Sequence, residues 1–259
     1  MDRWIAAPPF AAALLVGMLL CLEIGRRTGT RRLAKYPHGN TEGLGAVEGA
    51  VFALYGLLVA FTFSDAPTRM DKAKELIQEE ANSIGTAYLR LDLLPAESQP
   101  ALREQFRKYL DLRLETYQAL PDIEAAKATL AKSATLETAI WSQTVSATRM
   151  QGAHPEAGRL LLPALNDMFD IASTRTMASR MHVPLIIFAL LFLLALVCSV
   201  LAGYGMAGNK ERSWMHIVAF VLITVITVYV IVEIEYPRVG FIRISAFDQV
   251  LVDLRQSME

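Results

Sequence analysis

Four stretches of this chain run for about twenty residues each with almost no charge, and nothing else in the sequence limits the fold so strongly. They extend from Ile5 to Ile24, Leu44 to Phe63, Val183 to Met206 and Trp214 to Ile234. At 1.5 Å per residue each reaches across the roughly 30 Å of hydrocarbon in a bilayer. Lipid offers no partner to backbone amides and carbonyls, so a lone segment crosses as a helix. Pro8 and Pro9 fall in the first turn of the first stretch, where a missing amide donor costs least. Trp4, Tyr204, Trp214 and Tyr236 stand at the ends of the stretches, where the membrane interface favours aromatic rings.

The first stretch reads as an uncleaved span. A lipoprotein leader places small residues just before its cysteine, whereas Leu19 and Leu20 precede Cys21. Five basic residues follow it, Arg26, Arg27, Arg31, Arg32 and Lys35, in place of a cleavage site. They read as a loop closing near Asn40 through Pro37 and Gly39. The two cysteines, Cys21 and Cys198, both sit in apolar runs and have no metal-binding spacing.

Between spans two and three the chain changes character. Met70, Ile77, Ile84 and Leu91 recur every seventh residue, with Ala73, Ala81 and Tyr88 on the same side. Asp71, Lys72, Glu75, Glu79 and Arg90 take the opposite side. This is an amphipathic helix, expected to continue out of span two and to end at Pro95. A second helix carries Leu102, Phe106, Tyr109, Leu110, Leu114 and Tyr117. A third begins at Pro121-Asp122 and runs to about Met150, and a fourth carries Leu165, Met168, Phe169 and Ala172. Pro163 is expected to kink the fourth or to mark its start. After Tyr236-Pro237-Arg238-Val239-Gly240, the tail reads as a short extended piece and a terminal amphipathic helix. No strand pattern is present.

The expected fold is therefore an all-α membrane protein: four transmembrane helices with a helical bundle domain inserted between spans two and three. Residues 1–64 hold the first transmembrane pair, 65–182 the polar bundle, 183–235 the second pair and 236–259 the tail. Both termini and the bundle share one side. The short basic loops, Arg26 to Lys35 and Lys210 with Arg212, favour placing that side outward. Basic residues in the bundle near the membrane, Arg69, Lys72, Lys74, Arg175 and Arg180, weigh against it.

The chain carries a formal net charge of −1, so no charge excess points to nucleic acid. The four histidines, His38, His154, His182 and His216, are scattered, and no phosphate-binding loop or paired carboxylate stands out. Glu79 and Glu80 are adjacent and so point about 100° apart on a helix. An enzyme is not expected, nor a cofactor or metal.

The candidate residues lie in the spans. Glu48 lies inside span two and Glu23 ends span one. Intramembrane carboxylates face a cavity or a partner, so the pair reads either as an ion or proton site at a pore mouth or as interfacial residues paired with Arg26, Arg27 or Arg31. Glu233 and Glu235 read as interfacial. Gly45, Gly49 and Ala53 recur every fourth residue on span two, as Ala195, Ser199, Gly203 and Ala207 do on span three. Such faces let helix backbones approach closely in lipid. Leu54, Leu58 and Phe61 form another stripe of span two, either facing lipid or forming a hydrophobic constriction.

Val47-Glu48-Gly49-Ala50-Val51-Phe52-Ala53-Leu54, then Leu57 to Phe61, then Arg69-Met70-Asp71, resemble the bestrophin-like family of bacterial membrane proteins. So do Glu79 to Arg90 with Leu93-Leu94-Pro95, and Pro237-Arg238-Val239-Gly240. The resemblance implies a distant relation to bestrophins, which are pentameric anion channels whose second span lines the pore. It makes Leu54, Leu58 and Phe61 pore candidates, and Glu48 joins them by its place inside span two. The acidic calcium-binding cluster of animal bestrophins has no counterpart here, and their orientation places the helical domain in the cytoplasm. Within the motif, Glu79, Asn82 and Thr86 share one helix face, and Arg69 and Arg90 are expected to pair with Asp71, Glu79 or Glu80 of a neighbouring helix.

The leading expectation is an oligomeric, bestrophin-like anion channel in the bacterial inner membrane, its partners being lipid, copies of itself and small ions. The alternative is a membrane-anchored sensor or adaptor with a four-helix binding domain. A proton-driven motor subunit using Glu48 ranks third.

Overall fold

A computed structural model describes residues 7–36, 44–120, 122–208, 212–236 and 244–259. Among them every regular element is helical: α1 Ala7–Lys35, α2 Leu44–Leu89, α3 Gln99–Gln118, α4 Ile123–Ala147, α5 Ala157–Ala178, α6 Leu185–Gly205, α7 Trp214–Glu235 and α8 Gln249–Ser257. Four are long and apolar enough to cross a membrane: α1, α2 with the turn after it, α6 with the turn after it, and α7. The chain divides into two compact units, Met1–Arg69 with His182–Ile242, and Met70–Met181 with Arg243–Glu259.

One helix outruns its expected bounds and another falls short of them. The basic run Arg26 to Lys35 is not a loop: it continues α1. No Pro or Gly-Pro pair stops the helix before Pro37, and Glu23 pairs with both Arg26 and Arg27 at the start of the run. α2 is one helix of 46 residues that carries Pro67 in its interior. The pyrrolidine ring removes one amide donor and crowds the carbonyl four residues back, yet the helix runs on through it. α2 then stops at Leu89 and tightens into a 3₁₀ turn, Arg90–Leu93, so it ends short of Pro95. Pro163 neither starts nor ends α5, which begins at Ala157. The turn at Pro237 to Gly240 and residues 241–243 of the expected extended piece lie outside the described residues, and Ser245–Asp248 is a 3₁₀ turn leading into α8.

In the first unit α1 and α6 approach so closely that glycine is required at the contact. A β-carbon on Gly25 would collide with the Val200 carbonyl oxygen, and one on Gly203 with the Leu22 carbonyl oxygen. On Gly17 it would lie 2.9 Å from Leu196 Cδ2. The small face anticipated on α6 therefore meets one on α1: Gly17, Cys21, Gly25 and Gly29, again every fourth residue. Leu14, Met18, Phe188, Leu191, Val228 and Ile231 fill the remaining core.

The second unit is built around Ile84, Leu91, Phe106, Leu110, Ile140, Leu165 and Met168, all fully buried. Asp122 caps α4, its side chain accepting from the amides of Glu124 and Ala125 at 3.1 Å each. The C-terminal residues belong to this core. Leu251 is buried, Leu254 lies against Gly85 of α2, and the Met258 carbonyl accepts from Tyr88 Oη (3.2 Å) and Arg107 Nη1 (3.0 Å).

The α1–α6 contact sets a clear expectation. Gly25→Ala and Gly203→Ala each push rigid backbone apart and are expected to lower stability by about 1–3 kcal/mol. Gly158→Ala in α5, where a β-carbon meets open space, should leave it unchanged or slightly raised. Unfolding of the detergent-solubilised protein followed by circular dichroism reads the difference.

Candidate functional site

The apolar part of α2 differs from the other three long helices in how little of it is covered. Only 6% of its most apolar stretch is buried, against 28% in α1 and α6 and 39% in α7. One line of the helix, through Tyr55 and Thr62 to Ala66, is buried, and Phe52 packs edge-on against Phe220 of α7. The remainder is open. Val47, Leu54, Leu57 and Phe61 are 62%, 55%, 53% and 62% exposed. With the exposed Ala50 they follow the alternating three-and-four spacing that produces a continuous seam for another helix.

The structure divides the four pore candidates. Leu54 and Phe61 lie on the open face. Leu58 is half-buried against the core cluster of the first unit. Glu48 is half-buried and turned toward the end of α6, where a β-carbon on Gly205 would sit 3.5 Å from its Oε2. Gly45, Gly49 and Ala53 are exposed, with nothing within 4 Å of a β-carbon on either glycine. Ala195, Ser199 and Gly203 are buried. The two small-residue faces thus do different things: that of α6 is used inside the chain and that of α2 is free. Val47 and Leu57 escaped the sequence reading, although the seven-residue repeat Val47, Leu54, Phe61 carried the signal.

The polar motif of α2 separates in the same way. Glu79, Asn82 and Thr86 do share an exposed face. Asp71 pairs with Lys74 at 2.8 Å on the surface. The expected pairing of Arg69 and Arg90 with Asp71, Glu79 or Glu80 does not form. Arg69 Nε binds Glu235 Oε2 at 3.0 Å, and Arg90 Nη1 donates to the Leu160 carbonyl at 2.5 Å. Glu235 is buried, with its other oxygen accepting from the Val183 amide at 2.6 Å, so it joins the ends of α6 and α7 to Arg69. Glu233 is buried too. Neither glutamate is a surface residue of the interface, because at the end of α7 both face protein.

Glu80 carries the largest departure from the sequence reading. It is 0% exposed and held between two arginines, Arg113 Nε at 2.5 Å on one oxygen and Arg175 Nη1 on the other. Arg113 also reaches Tyr117 Oη (2.9 Å) and the Ala172 carbonyl (3.1 Å). Arg175 Nη2 binds Asp248 Oδ1 at 2.7 Å, and its guanidinium lies 3.7 Å from the Tyr117 ring centroid. Two guanidiniums and two carboxylates make a neutral buried cluster that joins α2, α3, α5 and the turn before α8. Arg175 is thus no membrane-flanking charge. The signal was positional: Glu80 falls between Ile77 and Ile84 on the apolar stripe, and Arg113 between Tyr109 and Tyr117 on that of α3.

Glu137 of α4 lies beside this cluster. Burial raises its pKa above the ordinary carboxylate value, opposed by the nearby Tyr109 hydroxyl and by the charge of Arg113. Burial likewise pushes the Tyr109 hydroxyl well up. Among the described residues no group of three His, Cys, Asp and Glu converges as a metal site would require.

A family profile described as the bestrophin-like domain matches residues 11–247. The chain belongs to the bestrophin-like family. By fold this bestrophin-like protein is similar to crystal structures of a bacterial bestrophin homolog from Klebsiella pneumoniae. One single-substitution variant is 12% identical, with a TM-score of 0.67 covering 94% of this chain and 99% of that one. Another is 12% identical at 0.68, covering 95% and 97%. A third, phased on zinc, is 11% identical at 0.67, covering 95% and 97%. At such identities the likeness speaks for the fold. No curated protein sequence matches the chain. The family and the four apolar helices together mark a membrane protein.

Two expectations follow from the buried groups. Glu80→Ala leaves two buried guanidiniums short of a carboxylate and is expected to cost about 3–5 kcal/mol, while Glu79→Ala on the exposed face should change stability by less than about 0.5 kcal/mol. Urea titration of the purified protein reads both. For Glu137 the folded pKa is raised, so its charged form is disfavoured in the fold and stability falls as pH rises through the folded value. Glu137→Gln should therefore melt higher than the parent at neutral pH and identically at acid pH, in a melting series run across pH.

Proposed function

We propose that this bestrophin-like protein assembles as a homo-oligomeric channel in the bacterial inner membrane, with α2 facing the symmetry axis and anions as the conducted species. The observation that carries the proposal is the open apolar face of α2. A membrane helix lined by Val47, Ala50, Leu54, Leu57 and Phe61 and by the free small residues Gly45, Gly49 and Ala53 is built to meet copies of itself or to surround an axis. Closed rings are the ordinary way for identical chains to bury one face each. Five copies is the number that the resemblance to bestrophins suggests.

In such a ring Leu54 and Phe61 supply an apolar constriction, which holds back ions by dewetting rather than by binding. Leu58 and Glu48 stay nearer the chain's own neighbours and act on the pore through packing and through charge at its mouth. The helical units joined to the spans stabilise the ring, and Glu79, Asn82 and Thr86 present a polar face for contact outside the membrane.

Liposome flux with the purified protein tests the reading. Chloride efflux above that of empty vesicles is expected, raised several-fold by Leu54→Ala and Phe61→Ala and changed less by Leu58→Ala. Mass photometry of the same preparation should show a closed oligomer. A monomer without flux in any salt would sink the channel and return the sensor or adaptor reading to first place.

A further inference from the structure

In the first unit, three arginines converge on one carboxylate. Arg26 Nε lies 3.2 Å from Glu23 Oε2, Arg27 Nε lies 2.7 Å from Oε1, and Arg212 Nη2 also binds Oε2. Glu23 cancels one of the three charges, so the cluster keeps two. The guanidinium side chains remain 38%, 68% and 37% exposed, which leaves donors free for a further anion. A cavity of about 460 Å³ adjoins them, bounded by α1, the end of α6 and the start of α7.

The walls of the cavity change chemistry with depth. One turn further into α1 the lining is Leu19 and Leu22, and one turn into α7 it is Ile217. Trp214 stands between the two zones with the Arg212 guanidinium 5.3 Å from its ring. The surrounding surface is apolar and open: Leu20 and Ile24 of α1 are 60% and 54% exposed, and Met215 of α7 is 73% exposed. A free anion would use the arginines and leave the apolar walls wetted. A molecule with a phosphate joined to a hydrocarbon chain satisfies both.

We propose that this pocket binds an anionic phospholipid, its headgroup phosphate on Arg26, Arg27 and Arg212 and a chain laid along Leu19 and Ile217. Guanidinium forks match phosphate oxygens in geometry as well as charge. No residue of α2 lines the site, and its occupation needs no ion flux. It therefore stands or falls separately from conduction.

Native mass spectrometry of the full-length protein in detergent tests it, with phosphatidylglycerol, phosphatidylcholine and inorganic phosphate as the probes. Phosphatidylglycerol is expected to bind at least fivefold more tightly than phosphatidylcholine. Arg27→Gln and Arg212→Gln should each weaken it about fivefold, the loss expected for one basic residue at an anionic lipid surface. Glu23→Gln removes the competing carboxylate and should tighten binding, a change that a folding defect would not produce. Lys127→Gln, in the exposed pair with Glu124 of α4, serves as the control and should leave binding unchanged. Equal binding of the two lipids, or no effect of either arginine substitution, overturns the proposal. So does displacement of the lipid by millimolar inorganic phosphate, which would make the pocket a simple anion site.

Discussion

Glu80 has no access to water, and much of the second unit is arranged by that fact. A lone carboxylate there would be driven to its neutral form or would unfold its surroundings. Arg113 from α3 and Arg175 from α5 make the charge tolerable, and Arg175 in turn requires Asp248. Each partner is delivered by a different stretch of chain, so the four groups are neutral together only when α2, α3, α5 and the C-terminal segment are all in place. Such a cluster adds little net stability over an apolar core of equal volume, since desolvation offsets most of the attraction. What it adds is register. Sliding any one helix by a turn would strand a buried charge, whereas apolar side chains such as Leu110 and Leu165 would find new apolar neighbours at small cost.

The first unit solves a different problem with different means. Lipid provides no hydrophobic drive between helices, so close packing has to come from shape. Gly25 and Gly203 let α1 and α6 touch backbone to backbone, and Glu235 ties the Val183 amide and Arg69 together at the other end. α2 takes little part in this packing. Its apolar face is unused within one chain, which in a membrane protein is either a lipid surface or an interface. Val47, Ala50, Leu54, Leu57 and Phe61 lie at three-and-four spacing and so form one continuous apolar stripe on it.

These two solutions explain where candidate residues ended up. Leu54, Phe61, Gly45 and Gly49 remain exposed. Gly203 and Ser199 are spent inside the chain, and Glu48 is directed toward α6. In the motif carrying the family resemblance, Glu79, Asn82 and Thr86 keep a common exposed face while their neighbour Glu80 turns inward. One residue of offset on a helix, about 100°, separates a surface group from the centre of a core.

The sequence by itself determined what local chemistry controls. Four apolar runs of spanning length, the helical period of the rest, the Asp122 cap and the small-residue face of span three follow from hydrophobicity and backbone needs, which each segment carries alone. The family, too, was legible from the motifs in span two and in the helix after it. Other features were decided only by tertiary structure. No local rule says that Glu80 pairs with Arg113, Arg175 and, through it, Asp248, residues up to 168 positions distant, or that Arg69 chooses Glu235. Nor could periodicity tell which small face is filled within the chain and which is left open. A charge in an apolar stripe announces that a partner exists, but partner choice depends on which helices pack side by side, and that is a property of the whole fold.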